Sequence, residues 1–118
     1  MRDAFPRAAT AIVATATHGI GEAPGQSAME LAVHASLQAL GRVGLTPVDV
    51  DGLFIALPQD FFAGLGLAEY LGIHPRLTNN NRVGGSSFQT YVLWAALALA
   101  AGQCDVALIT YGSNQRTA

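Results

Sequence analysis

Apolar residues cluster in short runs along the chain and fall at helical spacing between them. Residues 11–16, opening Ala11-Ile12-Val13, form the first run and lead into the loop His18-Gly19-Ile20-Gly21-Glu22-Ala23-Pro24-Gly25. Ser27-Ala28-Met29-Glu30 then has the spacing at which a serine hydroxyl and a glutamate close reciprocally over the first turn of a helix. That helix is expected to run to about Arg42, with Gly44 as its left-handed stop. Thr46-Pro47 suits the opening of a further short turn, because proline fits a first helical position. Leu53-Phe54-Ile55-Ala56-Leu57 has no polar break, as expected of a strand covered on both faces.

Residues 61–71 read as a second helix, weakened by Gly64 and Gly66 and ended by Gly72 ahead of His74-Pro75. Arg76-Leu77-Thr78 is a short third strand, and residues 79–85 are a tight polar segment whose Asn and Gly tolerate unusual backbone angles. Ser86 or Ser87 is expected to cap a long helix over residues 88–101, closed by Gly102. Residues 105–111 finish as a fourth strand around Val106-Ala107-Leu108-Ile109. The order βαβαβαβ predicts an α/β fold with a mostly parallel sheet between helical layers.

Composition sharpens this picture. Of 118 residues 51% are apolar and only 12% charged, against roughly 25% charged in an ordinary soluble domain. Such a chain is not disordered, and at net charge −2 it has no basic field for a nucleic-acid backbone. A single cysteine rules out an internal disulfide and fits a reducing, cytoplasmic setting. The longest apolar run, residues 92–101, is ten residues long, about half of what a membrane span needs. Arg2 and Arg7 ahead of an alanine-rich stretch, with Ala14-Thr15-Ala16 as a cleavage-like site, form the outline of a signal peptide. Thr10, Thr15 and Thr17 weaken it, and a first strand is the preferred reading of the same residues. So few charges imply that some apolar surface is meant to be covered.

Little in the chain has the spacing of a reactive centre. His18, His34, His74 and Cys104 do not converge as metal ligands. His34 is expected to be a partly buried helix residue, His74 a helix-end residue, and Cys104 a small packing residue beside the last strand. Gly19-Ile20-Gly21 with Gly25 gives G-x-G-x-x-x-G rather than the dinucleotide G-x-G-x-x-G. The next strand ends Ala56-Leu57-Pro58, without an acid for a ribose, which makes nucleotide binding the lesser alternative. Asn81-Arg82-Val83-Gly84-Gly85-Ser86-Ser87-Phe88 is the other candidate, since its glycines and the helix start behind them offer backbone amides and a positive dipole end.

Several phrases resemble the thiolase superfamily, especially its sterol-carrier-protein-like branch. They are Ala11-Ile12-Val13, Thr46-Pro47-Val48-Asp49-Val50-Asp51-Gly52-Leu53, Leu67-Ala68-Glu69-Tyr70-Leu71-Gly72-Ile73, Val83-Gly84-Gly85-Ser86-Ser87-Phe88 and Ala101-Gly102-Gln103-Cys104-Asp105-Val106-Ala107-Leu108. The resemblance implies that residues 1–118 are a partial N-terminal domain, a three-layer thiolase-like half-domain incomplete at its C-terminus and without turnover alone. The family's acyl-accepting cysteine sits in a motif like N-x-(L/V)-C-(A/G)-S-G. Asn81, Val83, Gly85 and Ser86 match it, and Gly84 stands at the nucleophile. A glycine forms no thioester. Ser86 as a substitute nucleophile has no base near it in sequence.

Relatives lacking the cysteine resemble lyases that cleave a β-hydroxyacyl-CoA by retro-aldol chemistry. The resemblance thus implies an acyl-CoA substrate at Gly84, Gly85, Ser86 and Ser87, with no cofactor. It further implies a homodimer and, in lyase-like relatives, a small OB-fold partner that binds acyl-CoA. An acyltransferase and a non-catalytic acyl-binding or interaction module are the alternatives.

Overall fold

The computed structural model describes residues 7–57, 60, 62–80 and 84–115. Helix α1, Ala28–Arg42, begins at the expected capping box: the Glu30 amide donates to Ser27 Oγ at 3.1 Å and the Ser27 amide to Glu30 Oε1 at 3.4 Å. Gly44 adopts φ +72° just beyond its end. A single 3-10 turn, Pro47–Asp49, follows and leads into strand β1, Gly52–Ala56. Helix α2, Ala63–Leu71, stops at Gly72 with φ +70°, and strand β2 is Leu77–Asn79. Helix α3, Ser87–Ala100, and strand β3, Ala107–Tyr111, complete the order.

The three strands form a wholly parallel sheet in the order β2-β1-β3, with Gly52 beside both Leu77 and Ala107. From β1 the chain steps out to β2, then returns across β1 to reach β3. Right-handed crossovers made in opposite directions place their helices on opposite faces. Accordingly α2 packs with α1 on one face and α3 lies on the other. The unbroken apolar run of β1 now has its cause. Leu53, Ile55 and Leu57 join Ala32, Leu40, Leu67 and Leu108 in the larger core, while Phe54 turns to Tyr91 and Ala95 of α3.

Polar groups inside this core are paired. Buried Ser36 and Thr110 share a triangle with the Ala32 carbonyl, in which one hydroxyl donates to the other and the second to the oxygen. The Tyr91 hydroxyl donates to the Ile55 carbonyl at 3.0 Å, tying α3 to β1. Two aromatic edges, Phe88 on Tyr91 and Phe88 on Tyr111, extend that tie toward the end of β3.

The first predicted strand does not form. Residues 11–16 carry no strand pairing, and Ile12 and Val13 are 75% and 68% exposed. β-branched sequence favours a pleated, half-buried surface, not an isolated extended chain, so without a paired edge the propensity is not realised. Nor is α3 capped as expected. Ser86 holds the N-cap position, but its φ −76° and ψ −6° are already helical, and its side chain makes no capping bond. A capping serine needs extended backbone to aim its hydroxyl at the following amides. Ser87 instead sends its hydroxyl back to the Gly84 carbonyl at 2.7 Å.

Candidate active site at the carboxyl end of the sheet

In a parallel sheet every strand ends at the same edge, and ligands bind there at the point where the chain reverses its direction across the sheet. Here that point lies between β1 and β3, with the start of α3 at the same edge. Gly84 takes φ +79°, a left-handed conformation that only glycine adopts without strain. Among the described residues, a Cβ built on Gly84 or on Gly85 would meet nothing within 4 Å. Gly84, Gly85 and Ser86 are exposed, and Ser87 is buried at 1%.

The structure therefore brings the four predicted residues together at one helix start but divides their roles. The Ser87 amide donates to the Gly84 carbonyl at 3.0 Å, and its hydroxyl does the same. Ser87 thus holds the turn closed. Asn81 and Val83, which carry part of the motif match, lie outside the described residues.

Two groups that the sequence does not single out also reach this edge. Asp60 follows β1, with its Oδ1 accepting from the Phe62 amide at 2.9 Å, and Tyr111 ends β3 with its ring on Phe88. Their signal lay in position, as residues at the carboxyl ends of parallel strands.

The other candidates resolve differently. Gly19, Gly21 and Gly25 all have positive φ, but among the described residues no strand precedes their loop. The helix start behind it is closed by the Glu30 carboxylate, a charge that disfavours a pyrophosphate. His34 is exposed rather than partly buried, its ring centroid 4.7 Å from that of His18. Among the described residues no three His, Cys, Asp or Glu side chains gather as metal ligands. Nor, among them, is any helix long and apolar enough to cross a membrane.

Cys104 is 1% exposed, packed beside Gly52 at the entry to β3. Burial pushes its thiol pKa up, and the carboxylates of Asp51 and Asp105 add to that, against a smaller lowering by Arg76. It is a packing residue and a poor nucleophile. Native protein should therefore react with a disulfide reagent at least ~100-fold slower than unfolded protein, read by absorbance. Because the folded state holds this proton more tightly, the associated stability is complete below the ordinary thiol range. It is lost as pH rises through the raised folded value.

No protein-family model matches the chain. It is 34% identical over 109 residues to the 17-hydroxy-3-oxo-4-pregnene-20-carboxyl-CoA lyase of Mycobacterium tuberculosis, an alignment covering 91% of this chain and 28% of that protein. Its fold superposes on a chain of the Ltp2-ChsH2(DUF35) aldolase with TM-score 0.81 and 29% identity, covering 92% of this chain and 28% of that one. Its fold is thiolase-like. A second thiolase-like structure, the monomeric SCP2-thiolase-like protein type 1 of Mycobacterium smegmatis, matches with TM-score 0.68 and 25% identity over 83% of this chain and 22% of that one. The thiolase-like chain thus spans under a third of the length of each of these relatives. Its three-stranded α/β unit corresponds to part of their fold.

Proposed function

We propose that this chain forms one wall of the active site of a thiolase-like lyase that cleaves a β-hydroxyacyl-CoA by retro-aldol chemistry. The observation that carries the reading is Gly84: a residue without a side chain at the carboxyl end of the sheet, with no described residue within 4 Å of where a Cβ would stand. With no nucleophile there, the acyl group is not transferred to the enzyme at this position. A base takes the proton of the β-hydroxyl, and that oxygen becomes the carbonyl of the departing ketone or aldehyde. The carbon–carbon bond breaks, and its electron pair passes to the thioester as an enolate, which protonates to the shortened acyl-CoA. Amides at the start of α3 orient the thioester and stabilise the enolate oxygen.

The relatives support this class, one being named a CoA lyase and another an aldolase. That aldolase is a complex of two proteins, which favours an acyl-CoA-binding partner of the OB-fold kind for this chain. A homodimer is proposed as well, although one thiolase-like relative is described as monomeric. The apolar stripe Leu93, Trp94 and Leu97, each about two-fifths exposed, favours coverage by further protein and supports an interaction role for α3.

The 118-residue chain alone should give no turnover of a β-hydroxyacyl-CoA. Its complex with the remaining thiolase-like polypeptide should release a ketone or aldehyde together with a shortened acyl-CoA, followed by chromatography. Intact-mass spectra taken during turnover should show no acyl adduct. A stable acyl-enzyme, or full activity of the 118 residues by themselves, would overturn the reading.

A further inference from the structure

Tyr111 is the last residue of β3 and stands level with Ala56, the last of β1, where the chain reverses across the sheet. Side chains alternate along a strand. Leu108 and Thr110 turn toward α1, Leu108 into the larger core and Thr110 onto the Ala32 carbonyl. Ala107, Ile109 and Tyr111 therefore line the other face, with Ala107 and Ile109 packed on Phe54, Tyr91 and Ala95. That row carries the Tyr111 ring to the very start of α3, where it meets Phe88 edge-on at 5.2 Å. Phe88 directly follows Ser87, whose hydroxyl and amide both bond the Gly84 carbonyl.

The Tyr111 ring is braced from the core outward. Phe88 meets Tyr91 at 5.6 Å, and Tyr91 is fully buried and bonded to the Ile55 carbonyl. A chain of rings thus runs from inside the fold to Tyr111, which is nevertheless 49% exposed. Among the described residues the contact of Tyr111 is the Phe88 ring, and its hydroxyl is left for what enters at this edge. Asp60 differs, because its carboxylate already accepts from the Phe62 amide at the start of α2. A polar group fixed in advance on rigid elements is the kind that stabilises charge as it develops.

We propose that Tyr111 is a catalytic residue of the retro-aldol step, its hydroxyl donating a hydrogen bond to the thioester oxygen as that oxygen takes up the enolate charge. The assignment rests on the lyase reading. The electron pair of the broken carbon–carbon bond moves into the enolate, and negative charge gathers on the oxygen. The phenol holds it from the sheet side and the first amides of α3 from the helix side. The phenol proton stays on Tyr111 throughout, so the proton balance of the step is unchanged. A phenol suits this task, since it keeps its proton until about pH 10, whereas a carboxylate in its place would repel the enolate. The bond strengthens only as charge develops, so it lowers the barrier without tightening substrate binding.

The test compares three forms of the complex with the remaining thiolase-like polypeptide, each given the same β-hydroxyacyl-CoA: the parent, Tyr111→Phe, and 3-fluorotyrosine at position 111. Tyr111→Phe keeps the ring on Phe88, so the thermal midpoint should stay at the parent's value. Its kcat should fall about 100-fold with KM within about threefold. 3-Fluorotyrosine retains the donor and should preserve kcat at neutral pH. Fluorine makes a phenol more acidic, so the loss of rate on the alkaline side should move down by about 1–2 pH units, which a packing role for the ring would not produce. Should Tyr111→Phe fail to fold, the fluorotyrosine profile decides alone. A parent complex without turnover would overturn the lyase reading and this assignment with it. An active parent that Tyr111→Phe matches within about threefold would overturn the assignment alone. So would a raised KM at unchanged kcat, or an alkaline limb that 3-fluorotyrosine leaves in place.

Discussion

Replacing Gly112 by alanine should cost the fold about 3 kcal/mol, seen as a fall of roughly 10 °C in the thermal midpoint or as failure to accumulate folded protein. Gly112 follows β3 and crosses the first turn of α1 at very close range. A Cβ there would land on the Ala28 carbonyl oxygen and lie 2.8 Å from the Ala32 amide nitrogen. Both are helix backbone atoms, so relief requires moving α1 as a body, and α1 carries Leu31, Ala32, Val33, Ser36 and Leu40 in its buried face. The control is Gly41→Ala. Gly41 lies within α1, a Cβ there meets nothing within 4 Å, and alanine should stabilise by about 0.5–1 kcal/mol through helix propensity alone. Equal effects from the two substitutions would show that the crossing of β3 over α1 is not close in solution.

Asp51→Ala should destabilise by about 2–3 kcal/mol in urea unfolding, with the slope unchanged. Asp51 joins all three strands at their amino ends. Its carboxylate accepts from the amides of Asp105 at 2.9 Å and Val106 at 2.8 Å, its carbonyl accepts from Arg76 and Leu77, and its amide donates to the Val106 carbonyl. Removing the carboxylate strands two amides just where β3 enters the sheet. Arg76→Ala should cost less than about 0.5 kcal/mol. Its guanidinium stands 3.9 Å from Asp51 with the side chain 60% exposed, where water screens the pair. A large loss at Arg76 with a small one at Asp51 would reverse this assignment and make the ion pair the principal contact.

Much of the architecture was readable because it is enforced locally. The Ser27–Glu30 spacing, the stops at Gly44, Gly72 and Gly102, and the unbroken apolar run of β1 each reflect a constraint within a few residues. Spacing on the glycine-rich segment likewise located a helix start. What spacing did not reveal was the division of labour there, with Ser87 turned inward onto Gly84 and Ser86 already helical. Asp60 and Tyr111 were invisible for a related reason. They stand far apart along the chain, and only the common direction of parallel strands brings them to one edge.

The sequence by itself determined the helices, their ends and the parallel α/β class, since each follows from backbone geometry or from periodic burial. Only the tertiary structure decided whether residues 11–16 form a strand. A helix closes its hydrogen bonds within itself, so its sequence suffices to specify it, but a strand borrows half of its bonds from a neighbour. Here β3 faces an apolar cavity instead of that segment, and an apolar, β-branched stretch lies extended beside the fold.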